Sequence, residues 1–183
     1  MSVRVGALAR RVVACVLVLG WALSGCSPAP PPFEWPSETG TPTPTWDAEQ
    51  ARAIEAVQRY IQVWSEIGQN IDTADWNRIY EVAEDPVAAY DLHYWSTWAA
   101  DSQHLVGAPV VTVDSVILGY VSGESRQYYV RTCYDRTNAY LVDANGNQEA
   151  GRVSGRIPHG FTVQMSHTKA DVVIGQTEVN GTC

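Results

Sequence analysis

The pattern of apolar and polar positions changes several times along the chain. Residues 12–23 form an unbroken apolar run behind Arg4, Arg10 and Arg11, and residues 27–45, SPAPPPFEWPSETGTPTPT, then follow neither a helical nor a strand period. From Asp47 onward Ala51, Ile54, Val57, Ile61 and Trp64 recur at steps of three and four, which predicts one apolar face on a helix reaching about Ile67. Asp47 and Gln50 fit a capping box at its start, and Gly68 is the expected stop. A shorter helix is predicted over Thr73–Ala83. A third runs to about Asp101 with Pro86 in its first turn, carrying Val87, Tyr90, Tyr94, Trp95 and Trp98. After Gly107 the chain turns rich in β-branched residues. Strands are predicted over 110–121 and 126–135, in a short piece at 139–142, within 152–167 and over 171–179. Asn145-Gly146 marks a tight turn, and Pro158 an edge position or a bulge.

Helices first and antiparallel strands afterwards predict an α+β domain over residues 47–183, long enough to bury a core of its own. The apolar run before it has 12 residues. A membrane-spanning helix needs about 20, so the run reads as the core of a signal peptide behind a basic start. Leu23-Ser24-Gly25-Cys26 resembles the bacterial lipobox, an aliphatic residue and two small ones before cysteine. That resemblance implies acylation of the Cys26 thiol and cleavage before it, leaving residues 1–25 as signal peptide. An ordinary secretory signal with an incidental cysteine is the alternative. Residues 26–46 then read as a lipidated cysteine and a tether. They hold seven of the ten prolines, all within 27–45, and 19 residues of polyproline II would reach up to about 60 Å.

The full chain carries a net charge of −8, from 12 basic and 20 acidic residues. Removing residues 1–25 takes away three arginines and no acids, which leaves nine basic against twenty acidic residues and a net charge of −11. Nucleic-acid binding needs a basic footprint, which this composition lacks. The same charge disfavours docking of the protein surface on anionic lipid, so contact with the membrane is expected through the N-terminal lipid. Of four cysteines, Cys15 would leave with the signal and Cys26 would be lipidated. Cys133 and Cys183 remain as one pair in an oxidising compartment, with one connectivity. Two free thiols are the alternative.

The helices-then-meander order resembles the nuclear-transport-factor-2-like (SnoaL-like) fold, in which a curved sheet wraps helices into a cone. The segment YYVRTCYDRTNAYLVDANGN, with a second cysteine at the C-terminus, resembles small secreted lipoproteins of actinobacteria: V-x-x-C-x-D spans Val130–Asp135, and a turn follows at Asp143–Gly146. The resemblance implies a cell-envelope lipoprotein with a cone that is either filled or open to a ligand.

Few residues point to chemistry. His93, His104, His159 and His167 have no metal-ligand spacing on a helix, and no Cys-x-x-Cys occurs, so neither a metal nor a cofactor is expected. There is no nucleophile elbow and no H-E-x-x-H. Asp91 and His93 stand two apart, which on a helix turns them from one another. The resemblance leaves acid–base chemistry as the enzymatic option. For it Asp114, within the apolar strand VVTVDSVIL, and His93 are the candidate catalytic residues; a solvated Asp114 or one paired with arginine is the structural alternative. Asp135, sharing strand parity with Arg131 and Cys133, reads as a surface ion pair. Tyr94 and Trp98, four apart on one helix, and Tyr129 on the second strand are the candidate ligand-binding residues, since such rings combine apolar area with a polar tip. The expectation is a binding role toward an envelope protein or a small apolar ligand. The alternatives are a cone enzyme with a carboxylate base, and a phage or prophage lipoprotein that excludes superinfection.

Overall fold

In the computed structural model, the first helix begins where the capping box places it. The structure describes residues 45–149, 155–165 and 170–183; the signal and lipobox assignments and the tether up to residue 44 lie outside these residues, while Trp46, at the tether's assigned end, packs against the core. Asp47 Oδ1 accepts from the backbone N–H groups of Glu49 and Gln50, and Gln50 Oε1 accepts from Asp47 N–H at 3.0 Å. Helix α1 spans Ala48–Gln69 and buries Ala53, Ala56, Val57, Tyr60, Ile61 and Ile67 along one face. Asp47→Ala removes the acceptor for two otherwise unpaired donors. We expect it to cost about 1 kcal/mol, read as a lower urea midpoint at unchanged slope; an unchanged midpoint would show that the cap adds nothing.

The helix does not stop at Gly68. It continues to Gln69, and Gly68 lies buried within it. A Cβ at Gly68 would stand 3.2 Å from Trp98 Cζ3 and 3.3 Å from Leu105 Cβ. The residue serves close approach between elements rather than termination.

The second helical segment is a 3-10 turn, Trp76–Glu81, capped by the Asp75 side chain. Trp76 and Ile79 are its inward residues, and their spacing of three suits the three-residue turn. Helix α2, Val87–Ala100, follows with Pro86 just before it, one position earlier than predicted. Its buried stripe is Val87, Ala88, Asp91, Trp95 and Trp98.

Six strands follow: β1 His104–Val106, β2 Val110–Ser122, β3 Ser125–Asp135, β4 Tyr140–Val142, β5 Arg156–Met165 and β6 Val172–Glu178. The long strands form an antiparallel sheet in the order β2-β3-β5-β6, and β1 pairs with β4 in a separate two-stranded sheet. The fold is therefore α+β, with helices packed on antiparallel sheets. Trp95, Trp98, Tyr60, Phe161, Ile67 and Ile79 are fully buried at the core between them.

Register shifts fall in β2 between Val113 and Ser115 and between Leu118 and Tyr120, and in the β5–β6 ladder at Thr162/Val163. Each adds a residue against its partner strand and bends the strand locally. Pro158 lies in an interior strand, paired with Cys133. Its carbonyl accepts from Val179 N–H, so its nitrogen also turns toward the β6 side. The missing donor therefore falls just past the last β5–β6 pair, His159–Glu178, and no bond of the β3–β5 ladder is lost.

Two ion-pair groups fix α1 to the sheet end of the domain. Arg52 meets Asp171 with both Nε and a terminal nitrogen, at 3.1 and 2.8 Å. Glu49 accepts from Arg126 and from the Tyr128 hydroxyl. A disulfide joins Cys133 to Cys183, with the Cα atoms 5.3 Å apart.

Candidate functional site

Helices α1 and α2 and strands β3, β5 and β6 enclose a half-open cavity of about 510 Å³, within the size range of small-molecule sites. Its helical wall is aromatic. Tyr90, Tyr94 and Trp98 descend α2 at intervals of four, with ring centroids 5.3 and 5.5 Å apart. Trp98 meets Trp64 of α1 edge-on at 5.6 Å. The ladder runs from Tyr90, 55% exposed, down to Trp98 in the core. On the sheet side Tyr134, His159 and Phe161 line the cavity, with His159 4.8 Å from Phe161 and 5.6 Å from Tyr134.

Asp91 is the polar group of the helical wall. It lies in the buried stripe of α2 and is only 2% exposed. The Tyr60 hydroxyl donates to Oδ2 at 2.8 Å and the Trp64 indole N–H donates to Oδ1 at 3.2 Å. The same hydroxyl stands 3.3 Å from Gln176 Oε1. Burial raises the carboxyl from 3.8 to about 7, and the two donated hydrogen bonds offset only part of that. Burial, then the Asp91 charge, pushes the Tyr60 phenol well above its ordinary value. Burial also raises Tyr134 and lowers the His159 imidazole. His159 Nδ1 and Arg136 Nε are buried with no hydrogen-bond partner among the described residues. Arg136 follows β3 at the cavity edge, its guanidinium 5.8 Å from the Tyr134 ring centroid. Among the described residues no three His, Cys, Asp or Glu side chains gather as a metal site.

Of the ligand-binding residues predicted, Tyr94 and Trp98 line this cavity and Tyr129 does not. Tyr129 covers Gly160, where a Cβ would fall 1.9 Å from its hydroxyl. Side chains alternate along β5, so Tyr129 lies on the sheet face opposite Phe161 and the cavity. Neither predicted catalytic candidate is at the cavity. His93 is exposed on α2. Asp114 sits between the two residues of the first β2 register shift, exposed, 4.0 Å from Arg131. The bulge breaks the alternation that would have placed it beside Val116, which is buried. Asp135 is 3.8 Å from Arg156, and hydrogen bonds from the Thr137 side chain and then its N–H hold the carboxyl below the usual range. The buried carboxylate of the site is Asp91; Glu178 of β6 also lines the cavity and is exposed. The signal for Asp91 was its position four and seven residues before Trp95 and Trp98, in one apolar stripe.

The fold and site define a small α+β domain with an aromatic cavity between helices and an antiparallel sheet. No protein-family model matches the chain, and no curated protein matches it. Among solved structures it is similar to the intermembrane space region of the chloroplast protein ARC6. That match has a TM-score of 0.51 and 14% identity, covering 75% of this chain and 100% of that one. The putative transfer protein TraH from the Gram-positive conjugative plasmid pIP501 aligns at a TM-score of 0.41 and 12% identity, over 74% of this chain and 98% of that one. At such identity the first likeness concerns the fold alone. Among the described residues no helix is long and apolar enough to cross a membrane.

Proposed function

We propose that this protein is a lipoprotein of the extracytoplasmic face of the cell membrane. In this reading Cys26 carries the lipid, residues 26–46 are the tether, and the domain is a nuclear-transport-factor-2-like cone that binds a small ligand without transforming it. The supporting observation is the cavity: about 510 Å³, walled on its helical side by the ladder Tyr90, Tyr94, Trp98 and Trp64, with polar groups at Asp91, Arg136, His159, Gln176, Thr177 and Glu178. Binding sites for small molecules are concave and largely apolar, with a few placed polar groups.

The address is tested by metabolic acyl labelling and mass spectrometry of the mature protein. The expected N-terminus is an acylated Cys26, and Cys26→Ala is expected to abolish labelling and membrane retention. An unmodified Cys26, or a mature end elsewhere, overturns the anchor. The ligand role is tested by extracting protein purified from its native membrane and identifying any co-purified small molecule.

Asp91 supports a second reading, an enzyme of the same fold using this carboxylate as general base. A carboxyl brought to about 7 inside a cavity is suited to accept a proton near neutral pH. The co-purified molecule separates the two readings. A binding protein returns it unchanged on prolonged incubation, and an enzyme converts it.

A further inference from the structure

The chemistry around Asp91 narrows the ligand class. Each carboxylate oxygen accepts one hydrogen bond, from Tyr60 or from Trp64, and an ionised carboxylate has about four acceptor positions. Acceptor capacity therefore remains on Asp91, which lines the cavity. Among the described residues no basic side chain forms an ion pair with Asp91. A charge buried without a counter-charge is costly unless something neutralises it. Protonation is one way, and a cation supplied from outside is another.

The surroundings favour such a cation. Trp64 reaches Asp91 directly, and Tyr94 and Trp98 are on the same helix three and seven residues further on. Aromatic faces attract ammonium groups, most strongly where water is excluded. The net charge of −11 on the chain after residue 25 raises the local concentration of cations over anions.

We propose that the cavity binds an organic cation, an amine whose ammonium group is held by Asp91 and whose apolar body lies along Tyr94 and Trp98. This rests on the ligand-binding reading above. The competing chemistry is on the sheet side, where Arg136 and His159 would receive an anionic group beside the Glu178 carboxylate, so a carboxylate ligand is the natural opposing case.

The test uses the full chain purified in detergent and three probes sharing one apolar body: 1-naphthylmethylamine, 1-naphthylmethanol and 1-naphthoate. Binding is measured by calorimetry at pH 7.5 against a detergent blank. The amine is expected to bind at least tenfold tighter than the alcohol or the carboxylate. Asp91→Asn is expected to remove that preference and leave the alcohol's affinity within about twofold. Equal or tighter binding of the alcohol or the carboxylate overturns the cation assignment and leaves the ligand-binding reading standing. An amine preference that survives Asp91→Asn overturns the role of Asp91. Absence of binding by all three overturns the proposal and removes the support for a ligand cavity. If Asp91→Asn does not fold, the three-probe comparison on the unaltered chain decides the ligand class by itself.

Discussion

Asp91→Asn should gain stability relative to the unaltered protein as pH rises from 4 to 8, by about 4 kcal/mol in all. The sign follows from where the proton is held. In the folded domain the Asp91 carboxyl is raised to about 7, against 3.8 in the absence of the fold. Between those two values the folded state keeps a proton that the unfolded chain has lost. Stability therefore falls as pH climbs through that window, and the loss is complete above the folded value. Below about pH 4 both states are protonated and Asp91 contributes no penalty. Asparagine keeps an acceptor for Tyr60 but turns an amide nitrogen toward the Trp64 N–H, an offset that does not vary with pH. Other carboxyls pull the opposite way: Glu49, Glu66, Asp135 and Asp143 are all held below their ordinary values by hydrogen bonds or arginines. The quantity to measure is thus the difference between variant and parent, from urea unfolding at unit steps of pH. A difference that stays flat from pH 4 to 8 would show that Asp91 titrates as an ordinary surface carboxyl.

Burial of this carboxyl costs stability at neutral pH, and an amide in its place would keep the hydrogen bond from Tyr60 but not the one from Trp64. Sites that sacrifice stability in this way are where function is expected. Asp91 therefore combines a place in the wall of the cavity with burial away from any ion-pairing basic side chain among the described residues.

Much of the fold was legible because its periods are strong. The α1 stripe and strands β3 and β5 each bury one face, and tertiary packing agrees with local pattern there, whereas β2 buries only Val116. Three-residue β1 is too short to show any period, and it exists because β4 pairs with it. Gly68 has the residue type of a helix stop but is used for contact with Trp98, which depends on a helix 30 residues away. The site was half legible. Tyr94 and Trp98 follow from helical spacing alone. Asp91 cannot face His93 two residues on, and the neighbours that reveal its burial are Trp95 and Trp98, on the same stripe. That Asp114 and Tyr129 lie away from the cavity was not legible, for one shared reason: face assignment on a strand rests on parity. A single bulge breaks parity for Asp114, and for Tyr129 nothing in the strand itself says which face is inward.

The disulfide carries the other large expected effect. Cys133 and Cys183 are 50 residues apart. In the chain-entropy model, closing a loop of that length stabilises the folded state by about 4 kcal/mol, by restricting the unfolded chain. The geometry explains why this bond matters to the sheet. β6 is an edge strand, and its last ladder pair is Glu178 with His159. Beyond it, the Val179–Pro158 hydrogen bond and the bond from Cys183 to buried Cys133 carry the chain back across β5 to β3. Glu178 and Gln176 line the cavity, so the same bond also holds the β6 wall in place. The double variant Cys133→Ala, Cys183→Ala should lose about 4 kcal/mol in urea unfolding, with a steeper slope because its unfolded chain exposes more surface. Reduction of the unaltered protein should produce the same loss without removing either side chain. If only the alanine variant is destabilised, the loss comes from packing at Cys133 and not from the cross-link. If neither is, β6 is held by its ladder with β5 and its contacts with α1 and α2, and the bond is structurally incidental.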